Sequence, residues 1–284
     1  MTSHGFFAIV AAGVLALWAI ALLGYLPPLA KRLRFPLGTI AFALSWLVMV
    51  GYMAWLWHAL QRPPMRTMGE TRLWYIFFLP LITLVLEWRW RTRSKTETSI
   101  TQWMVFLIVA PTIAMGTVFM LITLCHPESL DKSMMPALRS PWFAPHVIVY
   151  MVAYAMMGVA AFVAVIALVI DYVKQSDLPK KLTEEAHRLV YIAFPLVTLG
   201  LILGAFWAKI AWGNYWSWDP KETGAFITWA MYLAYIHLER YTKLSPRLHL
   251  GLIAGVFLVV LGCWFGVNAL PSAQMSVHTY ANTN

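Results

Sequence analysis

Long apolar runs broken by short polar connections organise this chain. Runs with few or no charged residues cover about 5–30, 35–61, 73–88, 98–127, 142–170, 189–208, 222–238 and 248–270. A helix rises 1.5 Å per residue, so about 20 residues cross a hydrocarbon core of ~30 Å. The runs approach or exceed that length except 73–88, which is short and ends in Glu87. The expectation is therefore all-α: a polytopic integral membrane helix bundle of about eight transmembrane helices, forming a single domain over 1–284.

Composition agrees with a lipid solvent. Of 284 residues, 61% are apolar and only 12% charged, where a soluble domain has roughly 25% charged. Disordered, collagen-like and disulfide-rich chains are excluded. Cys125 and Cys263 lie far apart in apolar runs with no C-x-x-C, so neither thiol redox, a cysteine zinc site nor covalent haem attachment on this chain has support.

The net charge of +9 has to be read connection by connection, and it points to a bilayer rather than to nucleic acid. If the runs alternate across the membrane, one side receives Lys31 to Arg34, Arg89 to Lys95, Lys174 to Arg188 and Arg240 to Arg247. These segments hold 14 of the 21 Lys and Arg residues. The positive-inside rule makes that side the cytoplasm and puts both termini, with loops 62–72, 128–141 and 209–221, outside. Arg62, Arg66 and Arg72 are the exception. Met1 to Gly5 has no positive n-region, so the first run reads as an uncleaved reverse anchor. The expected location is the bacterial inner (cytoplasmic) membrane or a thylakoid-type membrane, spanned many times.

Chemistry concentrates at about 207–223, where Trp207-Ala-Lys-Ile-Ala-Trp212-Gly-Asn-Tyr-Trp216-Ser-Trp218-Asp219-Pro-Lys-Glu222-Thr stands between the sixth and seventh runs. Tryptophans gather at headgroup level as an aromatic belt, and that alone is one reading. The polar part goes further. Asp219 followed by Pro220 reads as an N-cap and a first-turn proline, with Glu222 near the positive helix end. A helix that starts so sharply fixes the preceding aromatic loop as a platform for a large planar apolar ligand.

Haem is such a ligand, and it requires axial ligands. Of the eight histidines, His4, His58, His126, His187 and His249 lie near a terminus, in connections or at run ends, where an imidazole is unremarkable. His146 follows Pro145 at the outer end of the fifth run, and His278 follows the eighth. Both can flank the loop, although either alone also reads as a solvated interfacial residue. His237 lies 17 residues after Pro220, about 26 Å deeper, where it reads equally as a snorkelling side chain beside Glu239 and Arg240.

W-G-N-Y-W-S-W-D-P-K-E-T followed by Phe226-Ile-Thr-Trp-Ala-Met-Tyr-Leu-Ala-Tyr-Ile-His237 closely resembles the tryptophan-rich WWD signature of haem-handling proteins. It is most similar to the CcsA (ResC) type of the system II cytochrome c biogenesis machinery. The resemblance is dense over about 140–280 and weak in the amino-terminal half. It implies that His146, in P-H-V-x-x-Y, and His278, in V-H-T-Y, are axial ligands of a non-covalent haem b at the outer face, held by Trp207, Trp212, Trp216, Trp218 and Asp219. The family's glycine-rich approach to the last histidine is only loosely matched by Ser272 to Tyr280. His237 matches a histidine of an inner haem site, whose second ligand is expected from a CcsB/ResB-type membrane partner. The implied function is haem transport across the membrane and its presentation to apocytochrome c for thioether attachment, within a holocytochrome c synthase (haem lyase) complex. Lys132 and Arg139 are candidate partners of the haem propionates. Two alternatives stand: a CcmC-like haem exporter or chaperone without ligation activity, and a non-haem quinone-binding or transporter subunit.

Overall fold

The computed structural model describes residues 3–32, 36–65, 67–93, 99–126, 140–174 and 178–264. Among them there are nine helices and no strands. These are α1 (Ser3–Tyr25), α2 (Pro27–Arg32), α3 (Leu37–Leu60), α4 (Met68–Arg93), α5 (Ser99–Cys125), α6 (Phe143–Lys174), α7 (Leu178–Trp212), α8 (Pro220–Tyr241) and α9 (Pro246–Trp264). Seven of them, all but α2 and α8, are long and apolar enough to cross a bilayer. The protein is a multi-pass membrane helix bundle, in which every span satisfies its backbone groups internally.

The expected seventh span, 222–238, is a 22-residue helix that has the length to cross but not the apolarity. Lys221 and Glu222 occupy one end of α8 and Glu239 and Arg240 the other, and Trp229, Tyr232, Tyr235 and Tyr241 replace aliphatic residues between them.

The helices pack as two compact units, residues 1–133 and 134–284. In the first, α1 packs on α3 and α5, and α4 on α3 and α5. Trp18 and Ser45 meet in its core, the indole Nε1 donating to the hydroxyl at 2.9 Å. The short run 73–88 becomes the 26-residue α4 because its flanking charges are paired within the unit rather than exposed to lipid. Glu70 is fully buried and takes both guanidinium nitrogens of Arg62, at 2.9 and 2.7 Å. Arg72 donates to Thr123 Oγ1 at 3.1 Å. Glu87 is likewise buried and accepts from Tyr25 Oη at 2.5 Å, Thr39 Oγ1 at 2.5 Å and Arg91 Nε at 2.8 Å. Charges at membrane depth persist only with such partners.

The second unit is a four-helix bundle of α6 to α9, with α6 lying along α7, and α9 packed against both α6 and α8. At 32 and 35 residues, α6 and α7 are longer than a bilayer core requires, so their ends project beyond it. The core is filled by Ala153, Met157, Val190, Ala193, Val197, Tyr232, Tyr235, Ile253 and Val260, all buried.

Candidate functional site

The tryptophan-rich segment spans the end of α7, the loop 213–219 and the first turn of α8. Gly213 ends α7 with a φ of +84° and its N–H on the Lys209 carbonyl at 3.1 Å, a left-handed stop that glycine takes without strain. At the other end, Asp219 Oδ1 accepts from the backbone N–H of Lys221 at 2.9 Å, and Pro220 fills the first helical position. Glu222 closes a capping box. Its Oε2 accepts from the backbone N–H groups of Ser217 at 2.7 Å and Asp219 at 3.3 Å, and from Ser217 Oγ at 3.2 Å. This buried carboxylate ties the loop to the helix that follows it, a role its sequence position as a first-turn acid did not disclose.

Between the two anchors Trp218 has a φ of 60°, the left-handed region that a bulky residue enters at a cost of roughly 1–2 kcal/mol. Its side chain is 66% exposed, the ring turned outward rather than into the core. A strained backbone that presents a large ring is a feature the surrounding structure must hold in place. Asp219→Ala should therefore cost about 1 kcal/mol of helix stability through the lost cap. Glu222→Ala, which releases three donors at once, should lower the melting temperature of the solubilised protein further. Equal shifts for the two variants would show that Glu222 does no more than cap.

His146 lies in the first turn of α6 against α7. Its Nδ1 is 2.8 Å from the Gly200 carbonyl oxygen. A carbonyl only accepts, so Nδ1 carries the proton and the lone pair lies on Nε2, the tautomer in which an imidazole ligates through Nε2. The ring also meets Trp207 at 5.5 Å and the edge of Tyr150 at 4.9 Å. Two glycines four residues apart admit these side chains. A Cβ on Gly204 would sit 2.7 Å from the imidazole, and one on Gly200 would sit 3.1 Å from the Tyr150 ring.

Ring contacts gather on both sides of the tryptophan-rich loop. Around His146, Trp207 meets Phe143 at 5.1 Å and Trp212 at 4.8 Å; separately, Phe206 meets Trp142 at 5.2 Å and Tyr215 at 6.2 Å. At the start of α8, Trp216 and Trp218 meet each other at 5.7 Å, and each meets Phe226, at 6.4 and 6.1 Å. The Trp216 Nε1 is buried, with no acceptor among the described residues. His237 is exposed near the far end of α8, with Nδ1 2.9 Å from the Leu233 carbonyl one turn back. The same argument puts its lone pair on Nε2. His278, Lys132 and Arg139 lie outside the described residues.

Two histidines set aside in the sequence do meet. His187 of α7 and His249 of α9 are 4.9 Å apart, and Tyr235 Oη of α8 is 2.6 Å from His187 Nδ1. The alternation of spans puts positions 187, 235 and 249 at one end of the bundle, which was the available signal; their contact needed the packing. Among the described residues no group of three or more His, Cys, Asp or Glu is arranged to hold a metal ion.

The sequence pattern of the family described as "Cytochrome C assembly protein" matches residues 8–273. The protein "Cytochrome c biogenesis protein CcsA" of Chlamydomonas reinhardtii is 33% identical over 195 residues, covering 66% of this chain and 54% of the relative. The chain thus spans about half the length of that relative. The CcsA proteins of a Picosynechococcus strain and of Marchantia polymorpha are 28% and 27% identical, each over 86% of this chain and 87% of the relative. A solved structure titled "Cytochrome c Heme Lyase CcmF" overlays 95% of this chain and 48% of its own, with a TM-score of 0.67 at 18% identity, a likeness of fold. With a family pattern over nearly its whole length, the chain belongs to the cytochrome c assembly protein family, and these relatives are of the CcsA type.

Proposed function

We propose that this chain takes up haem at His237, passes it to the tryptophan loop and holds it there on His146 and His278 for attachment to apocytochrome c. The two units of the chain act as one haem-handling domain. The observation that carries this reading is the state of His146: Nδ1–H on the Gly200 carbonyl, Nε2 left with the lone pair, and the ring set against Trp207. A ligating histidine is oriented in this way by its second nitrogen. Haem fits the donor set in two further respects. The tryptophans supply ring surface at one end of the bundle, and the Trp216 indole N–H has no acceptor among the described residues. When bound, haem b supplies the vinyl groups to which two cysteine thiols of an apocytochrome add.

What the chain's residues contribute is position. His146 and His278 fix the orientation of the iron axis, Trp207, Trp212, Trp216 and Trp218 hold the macrocycle, and the Asp219 and Glu222 cap keeps the loop in place. Holding reactants in register can replace much of an entropic barrier without an acid or base in the protein. With α8 counted as a crossing, the excess of Lys and Arg on one side supports a bacterial inner or thylakoid-type membrane with both termini and the tryptophan loop outside. His237 is exposed on its own helix, consistent with a second ligand supplied by a CcsB/ResB-type partner.

Coexpression of this chain, a CcsB-type protein and a reporter with a C-x-x-C-H motif tests the function. Covalent haem on the reporter should require both membrane proteins. Equal covalent haem when this chain is omitted overturns the proposal.

A further inference from the structure

The core of the second unit has no room for a porphyrin between its two ends. Tyr232, Tyr235, Ile253 and Val197 are at most 2% exposed, and interiors at that density do not part for a rigid planar molecule. Any ligand that moves between His237 and the tryptophan loop must therefore travel on a face of the bundle, and α8 has one suited to it.

At 100° per residue, the buried residues Thr228, Tyr232 and Tyr235 define the inward face of α8. Phe226, Ala230, Leu233 and His237, at i, i+4, i+7 and i+11, line up on the opposite face. Phe226 and His237 are exposed, and Ala230 and Leu233 are half-buried. The ring surface of the loop continues onto this stripe. Phe226 touches Trp216 and Trp218 on one side and stacks on Trp229 at 5.9 Å and 23° on the other; Trp229 in turn stacks on Phe194 of α7 at 6.0 Å and 25°.

Trp229 lies nine residues beyond Pro220, about 14 Å along the axis. That is below headgroup level, so an aromatic belt does not account for it. Its indole Nε1 donates to Thr198 Oγ1 at 3.0 Å, which removes the polar cost of an indole at this depth and fixes its ring. From Trp229 to His237 the stripe carries only Ala230, Leu233 and, at its border, Ala234. It is an apolar stripe with the imidazole of His237 at one end and stacked rings at the other.

We propose that the outward stripe of α8, Phe226, Trp229, Ala230 and Leu233 with Phe194 of α7, is the track along which the porphyrin passes from His237 to the tryptophan loop. The inference rests on the reading of the chain as a haem carrier and adds the route and the residues that form it. The rings stabilise the macrocycle by stacking along the way. The absence of a ligating or charged side chain between His237 and Trp218 on this stripe leaves nothing to arrest the iron midway.

The test is a steric plug. Ala230→Trp puts an indole onto the stripe, on a face directed away from the bundle core. Met231→Trp, at the same depth on a neighbouring exposed position, is the control. Each variant is coexpressed with a CcsB-type protein and a reporter cytochrome, and membrane abundance, haem bound to the purified complex and covalent haem on the reporter are measured. Ala230→Trp should keep bound haem that disappears when His237→Ala is added, while covalent haem on the reporter falls to near background. Met231→Trp should match wild type in all three. If Ala230→Trp lowers abundance, the smaller plug Ala230→Leu and the ring deletion Phe226→Ala take its place and should show the same split. Normal reporter haem with any of these plugs at normal abundance overturns the track and leaves the stripe as lipid-facing surface. A wild-type complex without bound haem defeats the carrier reading itself, a separate outcome.

Discussion

Replacing His146 by alanine is expected to bring cytochrome c maturation to near background while the protein remains in the membrane at its normal level. The imidazole carries a lone pair directed by a second-nitrogen hydrogen bond, and alanine removes both that group and the ring that Trp207 packs on. Added imidazole should partly restore maturation, because the space between α6 and α7 that the side chain leaves can admit a free ring to the same coordination position. A purely structural histidine gives a different pattern, in which protein abundance falls with activity and imidazole restores nothing. Gly204→Ala probes the same residue from the other side. Its new Cβ would stand 2.7 Å from the imidazole, so His146 must move, and haem affinity at the loop should fall by about 10- to 100-fold, as it does when the support of a metal ligand is disturbed. Unchanged haem occupancy in Gly204→Ala would separate His146 from the site.

The second large effect concerns His237. It stands about 26 Å along α8 from the helix start at Pro220, so one porphyrin cannot be ligated by it and also lie on the tryptophan loop. If both His146 and His237 ligate haem, two positions are used in sequence. His237→Ala should then empty the loop site as well as its own, whereas His146→Ala should leave haem at His237. This asymmetry distinguishes an ordered path from two independent sites, for which each substitution would empty only its own. Full haem at the loop with normal maturation in His237→Ala would mean that haem reaches the loop without passing this residue.

How much of this was legible in the sequence depends on the range of the interaction involved. The spans are a local property of apolar runs, and seven of them stand as helices of crossing length. The start of α8 was equally local, because Asp219, Pro220 and Glu222 form a cap within four residues. The seventh run misled on apolarity, since its aromatic residues and charged ends leave α8 short of a spanning composition. The length of α4 was hidden for another reason: Glu70, Arg72 and Glu87 looked like boundaries, but partners 8 to 62 residues away bury them. Contacts between helices were out of reach altogether. The seat of His146 on Gly200 and Gly204 depends on the register of α6 against α7, and the meeting of His187, Tyr235 and His249 on three helices coming together. The left-handed backbone of Trp218 had no signal either, as tryptophan is a residue for which that conformation is not expected.

The central claim is that this chain, by imidazole ligation, holds haem it does not covalently keep. A reduced-minus-oxidised absorption spectrum of the purified complex with its CcsB-type partner, wild type beside the His146→Ala, His237→Ala double variant, tests it most directly. The account predicts b-type haem bands in the wild-type complex and their reduction in the double variant to what the partner holds alone. Bands of equal intensity in both, or none in the wild type, would contradict it.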